Sequence, residues 1–311
     1  MNKTSFLVMQ RDWQLTFRMA ISFLALTLIY LIFLSFISMY FGLGILPISI
    51  IAGLMIGAQW FFSDRIVMWS TGTKLVSKEE QPVLHEIVEG LCLKANIPKP
   101  RIGMMQSETP NAFATGKSPK SSVVVVSSGI MKILSKDELE GVLSHELTHI
   151  RHRDVTIITL ASLFSTIAWY LMQSSMWGSM FGGYGYGGRQ QQSGGSLFLV
   201  LIVAALVWLL SFLIIRAISR YRELAADRGG AYLTGKPLNL SHALMKIEER
   251  VKAAPVQQLK KMEGMNAFFI IPAISGQTIA RFFSTHPPIE ERIKQLMEIE
   301  RELHGTSNFG V

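Results

Sequence analysis

Residues 145–149 read His145-Glu146-Leu147-Thr148-His149. On an α-helix, positions i and i+4 share a face, so the two imidazoles can address one ion while Glu146 projects beside it. A carboxylate placed there can take a proton from a water polarised by that ion. The flanking sequence supplies the helix. Ser135 and Glu138 form a capping-box pattern, and Leu139, Val142, Leu143, Leu147 and Ile150 recur at the spacing of one apolar helical stripe.

A catalytic zinc keeps three protein ligands and one open position, so a third donor is required from another segment. The run Ser219-Arg220-Tyr221-Arg222-Glu223-Leu224-Ala225-Ala226-Asp227 offers Glu223. Asp227 lies four residues further on the same face, where it can accept from the second N–H of a ligating imidazole. In a solvated helix the same glutamate would only pair with Arg220 or Arg222. Asp154, five residues past His149, is a further candidate for such support or for the helix end.

Three more blocks accompany these two, Pro110-Asn111-Ala112-Phe113-Ala114-Thr115-Gly116, Ser284-Thr285-His286-Pro287-Pro288-Ile289 and the apolar runs described below. In this order they resemble the HtpX-type membrane-embedded zinc endopeptidases, relatives of the CaaX prenyl proteases with a gluzincin-like core. The resemblance covers nearly the whole chain. It implies one Zn2+ per chain held by His145, His149 and Glu223, with Glu146 as general base. It also places the His286-Pro287 segment near the site. His286 and Arg292 are the candidate partners of the tetrahedral oxyanion. Asn111, Ala112 and Phe113 are candidates for an edge strand to which an extended substrate adds its backbone. The family further implies quality control of misfolded membrane proteins in a prokaryotic cytoplasmic membrane, as part of a stress response.

Composition points independently to a membrane. Of 311 residues, 49% are hydrophobic and only 17% charged, and the mean hydropathy is +0.33, which is unusual for a soluble globule. No Asp, Glu, Lys or Arg occurs from Met19 to Ser63, enough for two spans of about 20 residues each. Gly42, Gly44 and Pro47 mark the turn between them. Two more uncharged runs, 155–177 and 197–215, make about four spans. The apolar run starts too late and runs too long for a cleaved signal peptide, so the first span reads as a retained anchor. A glycine-rich linker, 178–195, joins the last two spans on the outer face.

Lys3, Arg11 and Arg18 precede the first span, basic residues crowd 64–154, and Arg216, Arg220 and Arg222 follow the fourth. This asymmetry puts both termini and every ligand candidate on the cytoplasmic side. The net charge of +8 suits anionic headgroups. No basic-aromatic pattern supports nucleic acid as the partner. The single cysteine, Cys92, excludes an intrachain disulfide.

The expected fold class is α+β: a mostly helical integral membrane protein with a cytoplasmic zincin-like metalloprotease domain containing a small β-sheet. Its parts are 1–63 (tail and two spans), 64–154 (first catalytic part), 155–215 (spans three and four) and 216–311 (second catalytic part). In the soluble part, Ser77 and Glu80 suggest another capping box, 101–106, 112–115 and 122–127 read as strands, and a terminal helix begins at Pro287-Pro288. Only six residues separate His149 from the third run and eight separate the fourth from Glu223. That is about 9 Å and 12 Å of helix, which sets the site close to the headgroups and favours membrane-associated polypeptides as substrates.

Two other readings compete. An intramembrane metalloprotease would bury its histidine helix in lipid. This helix carries Lys136, Asp137, Glu138, Glu140, Arg151 and Arg153, too polar for hydrocarbon. A scaffold holding zinc only for stability would use four ligands and has no use for Glu146.

Overall fold

The computed structural model describes residues 13–42, 44–154, 194–253 and 287–305. The apolar run 155–177, residues 178–193 of the glycine-rich stretch, and His286 lie outside the described residues. The chain divides into two compact units. One gathers Met1–Leu15, Phe62–Thr156 and Ser219–Val311; the other gathers Thr16–Phe61 and Ile157–Ile218.

The second unit is helical in its described parts. Helix α1, Trp13–Phe41, contains neither glycine nor proline. Its Thr27 and Ser35 hydroxyls donate to the carbonyls of Phe23 and Leu31, both at 2.8 Å, which satisfies polar groups in an apolar segment. Gly42, at φ +63°, ends it in the left-handed region that favours glycine. Helix α2, Ile45–Ser70, then restarts with Pro47 in its first turn, where a missing N–H does no harm. Leu26, Tyr30, Phe33 and Ile37 pack on Ala204 and Val207.

Among the described residues, two helical stretches are long and apolar enough to cross a membrane, Trp13–Tyr40 and Ile202–Thr234. Only 22% and 28% of their apolar windows are buried, so most of that surface faces outward, unlike a core helix of a soluble protein. The expected third run, 155–177, lies outside the described residues, so these two candidates do not test the count of about four spans.

The first unit is built on a four-stranded sheet of order β1-β2-β4-β3, with β1 Lys74–Leu75, β2 Arg101–Met105, β3 Ala112–Thr115 and β4 Val123–Ser127. β2 and β4 run parallel, and the outer strands pair antiparallel to them. The helices in chain order are α3 (Pro82–Ala95), α4 (Ser128–Ile133), α5 (Lys136–His152), α6 (Gly194–Thr234), α7 (Pro237–Lys252) and α8 (Ile289–His304). Val123–Val126 are fully buried on both sheet faces, as a continuous β-branched run requires. Val124 and Val126 face a helical layer of α3, α5, α7 and α8. Val123 and Val125 face Val67 of α2, with Met105 and Phe113.

Two local details depart from the sequence reading. The Ser77 and Glu80 bonds do form, at 2.7 and 3.4 Å, but they close a turn. Helix α3 starts at Pro82, whose fixed φ suits a first helical position. Helix α7 was not anticipated, although Pro237 and the apolar Leu240, Leu244, Ile247 and Val251 carry its signal. Cys92 is buried in α3, and that burial pushes its thiol up to about 11.

Candidate metal centre

The histidine helix begins as its sequence dictates. The Ser135 hydroxyl accepts from the Glu138 amide at 3.3 Å, and the Ser135 amide donates to Glu138 Oε2 at 2.8 Å. Burial would raise the Glu138 carboxyl, but Lys246 and these cap bonds outweigh it and hold it low. The C-terminal end is set by Arg153, which takes the left-handed conformation at φ 60° and returns its amide to the carbonyls of His149 and Ile150. That reversal sends Asp154 back toward His149.

The third element is α6, whose last turns lie in the first unit. It approaches α5 closely because two glycines face it. A Cβ on Gly229 would stand 2.5 Å from Thr148 Cγ2, and one on Gly230 would stand 2.8 Å from Ser144 Oγ and 3.0 Å from the His145 amide. The Ser144 hydroxyl donates to Gly141 O at 2.7 Å and reaches Gly230 O at 3.2 Å. Gly141 gives α5 the same close approach to Leu240 of α7.

This packing brings His145, His149 and Glu223 together, all buried. The two Nε2 atoms are 3.1 Å apart. Each faces one oxygen of the Glu223 carboxylate, His145 Nε2 at 3.5 Å and His149 Nε2 at 3.4 Å. With ligand bonds near 2.0–2.1 Å, two corners of a tetrahedral zinc shell lie about 3.3 Å apart. The observed separations fit that spacing.

Behind each imidazole stands an aspartate held by an arginine. His145 Nδ1 lies 2.8 Å from Asp227 Oδ1, and Arg292 grips Asp227 with two bonds of 2.7 Å, from Nε and from a terminal nitrogen. His149 Nδ1 lies 2.9 Å from Asp154 Oδ2, and Arg222 Nε lies 3.2 Å from that same oxygen. Asp154 and Asp227, expected to orient the ligating rings, thus each stand beside the Nδ1 of one imidazole.

Charge gives a second test of fit. Glu146, Asp154, Glu223 and Asp227 are all buried, as are Arg222 and Arg292. Among the described residues, four carboxylates against two guanidiniums leave two negative charges, a balance that a divalent cation would neutralise. The same carboxylates act on the two imidazoles. Burial alone would lower both, but Asp227 raises His145, and Asp154 with Glu223 raises His149 to about 10. Burial also pushes Glu146 above the usual carboxylate range, against the pull of His145 and His149. In Arg292, Asp227 and Glu223 overcome burial and hold the guanidinium protonated.

The remaining candidates occupy different places. Arg292, expected beside the oxyanion, has its guanidinium engaged by Asp227 and stands 3.9 Å from Glu223 Oε2. His286 lies outside the described residues. Ala112 and Phe113 belong to edge strand β3, which packs next to α5. Phe113 turns its side chain to the other sheet face, with Val67 and Val125. Asn111 is buried, and its backbone amide donates to Ser127 Oγ at 2.8 Å. Sequence reasoning missed Arg222 as a site residue, along with the Gly229-Gly230 pair. The signal for the glycines was their position on the Glu223 helix, two residues past Asp227.

Fold, motif and donor set together define a metallopeptidase. The chain belongs to peptidase family M48, whose model matches residues 78–300. It is similar to a protein described as protease HtpX homolog 2 from Methanosarcina acetivorans, with 48% identity over 294 residues, covering 94% of this chain and 98% of the relative. A protease HtpX homolog from Moorella thermoacetica is 45% identical over 293 residues, covering 94% and 96%. Among solved structures, the crystal structure of S. mikatae Ste24p shares the fold at a TM-score of 0.52 and 20% identity. It covers 92% of this chain, which spans 66% of that protein's length.

Proposed function

We propose that this metalloprotease is a zinc-dependent endopeptidase of a prokaryotic cytoplasmic membrane, working at the cytoplasmic face on misfolded or membrane-inserted proteins. One observation carries the zinc assignment: two Nε2 atoms and a carboxylate, separated by 3.1, 3.4 and 3.5 Å, in a buried cluster where carboxylates outnumber guanidiniums among the described residues. His145, His149 and Glu223 are the ligands in this reading. When bound, the ion supplies Lewis acidity to the scissile carbonyl and to the attacking water.

The chain's own groups do the rest. Glu146 takes the proton of the attacking water and delivers it to the leaving amine nitrogen. Its burial suits the task, because a carboxyl with a raised pKa returns the proton more readily than it could from solvent. Asp154 and Asp227 fix the imidazoles with Nδ1–H directed away from the metal position. The outward-facing apolar helices support membrane insertion, and the one-sided basic residues support the cytoplasmic orientation. In this reading the multi-pass arrangement keeps four spans.

The test is Glu146→Gln in the full chain, purified in detergent. Zinc content should match the wild type, while cleavage of a labelled unfolded protein should fall by about 10²–10⁴-fold. Cleavage at the wild-type rate would remove Glu146 as the base. A wild type that retains no zinc would remove the metal assignment itself.

A further inference from the structure

We propose that Arg222, adjacent to Glu223 in the chain, is a positioning residue for the metal, acting on His149 through Asp154. This rests on the zinc reading above. The motif gives no reason to expect it, since an arginine next to a helical glutamate reads as a solvated partner. The structure places it otherwise.

Arg222 is buried, and its Nε stands 3.2 Å from Asp154 Oδ2. That oxygen is the one 2.9 Å from His149 Nδ1, so a single carboxylate oxygen is shared between the imidazole and the guanidinium. Asp154 Oδ1 and Arg222 Nε are both buried without a hydrogen-bond partner among the described residues, so the two groups meet as an ion pair. Arg222 and His149, with a smaller part from His152, compensate the carboxylate. An aspartate at full charge beside Nδ1 keeps the proton on that nitrogen and leaves Nε2, which faces Glu223, free to donate its lone pair. Arg222 holds that carboxylate beside the ring from the opposite side.

The geometry also restricts how Asp154 can move. It follows Arg153 in its left-handed turn, a conformation a non-glycine residue holds only when its surroundings fix it. The turn itself is closed by the Arg153 amide on His149 O and Ile150 O, and Arg222 meets Asp154 from a different helix, the one that carries Glu223. The residue thus ties the His149 end of α5 to the helix bearing the third ligand.

Metal affinity is the direct readout, measured on the full chain in detergent by titrating stripped protein with Zn2+ against a chromophoric chelator. Arg222→Met should weaken Zn2+ binding by about 10–100-fold, the usual effect of losing a partner of a ligating histidine. Arg222→Lys should recover part of it, because the charge returns without the planar guanidinium. Asp154→Asn should weaken binding to a similar extent, and Arg222→Met added to it should cost little more, since both act along one line. Wild-type affinity in Arg222→Met, or fully additive losses in the double variant, would overturn the proposal. If Arg222→Met does not fold, the Lys variant decides by the same comparison: a loss in the wild-type background that persists undiminished in the Asp154→Asn background overturns it. Glu223→Gln separates the two readings, because unchanged Zn2+ affinity there would refute the metal site and not only the role of Arg222.

Discussion

The two halves of the buried cluster solve one problem with unequal means. On the His145 side, Asp227 is gripped by Arg292 through two bonds of 2.7 Å. On the His149 side, Asp154 meets Arg222 in one contact of 3.2 Å. One carboxylate oxygen is shared by imidazole and guanidinium on both sides, but the first arrangement is a bidentate fork and the second a single contact. The His145 arm is also assembled from three distant stretches, while Asp154 lies only five residues past its histidine. The difference teaches that the cluster has a rigid side, which bears on folding, and a lighter side, which bears on tuning one ring.

The comparison would break first at Arg292. Replacing it by Met strips Asp227 of its bidentate cation in a buried site, and Glu223 loses a cation 3.9 Å away. Removing one partner of a buried ion pair costs about 3–5 kcal/mol. The expected outcome is a large drop in melting temperature of the metal-free protein, clearly greater than that of Arg222→Met measured alongside. Equal losses would mean that the bidentate geometry adds nothing and that the two sides are equivalent.

A second pair of substitutions sharpens the contrast between the site and its scaffold. At Gly230 an added Cβ would meet Ser144 Oγ at 2.8 Å and the His145 amide at 3.0 Å. Backbone cannot step aside as a side chain can, so the two helices must separate. Gly230→Ala is expected to cost about 1–3 kcal/mol and to lower Zn2+ affinity by moving Glu223 from the imidazoles. Gly90, inside α3, has nothing within 4 Å of such a Cβ. Gly90→Ala should stabilise by about 0.5–1 kcal/mol through helix propensity alone. Thermal melts with and without metal separate the cases, and a neutral Gly230→Ala would show that the close approach is incidental.

These particulars also show what the sequence could and could not carry. The Ser135 cap, the α5 stripe, the strands around Val123–Val126 and the helix after Pro288 were legible because each is local, written in periodicity and capping chemistry. Glu223 was legible as a candidate from the need for a third donor and its spacing to Asp227, and the resemblance strengthened it, although no spacing rule connects residues 74 positions apart. Arg292 shows what such reading leaves out. An arginine close behind the His286-Pro287 block suggests an oxyanion partner, yet its contact is set by Asp227, 65 residues away. Arg222 was missed for the opposite reason: it lies so near Glu223 that a solvent-exposed pairing accounted for it.

The finest comparison is between protons and metal as two ways to neutralise the same charge. In the metal-free protein the imidazoles carry the compensation, with His149 raised to about 10 and His145 raised as well. A histidine whose folded value exceeds its unfolded one, about 6.5, contributes stability fully below that unfolded value. The contribution fades as pH rises and is lost through about 10. Metal-free protein should therefore melt at progressively lower temperature from about pH 6.5 to 10. The slope should ease at both ends, where histidines of the unfolded chain still hold part of their protons and where folded His149 has lost part of its own. Zinc-loaded protein should show no such decline, because the ion has taken the protons' place. Binding near pH 8 should release up to about two protons per zinc, measurable from buffer-dependent heats. A metal-free melting curve that stays flat or rises over this window would mean that the two missing charges are supplied by something other than His145 and His149.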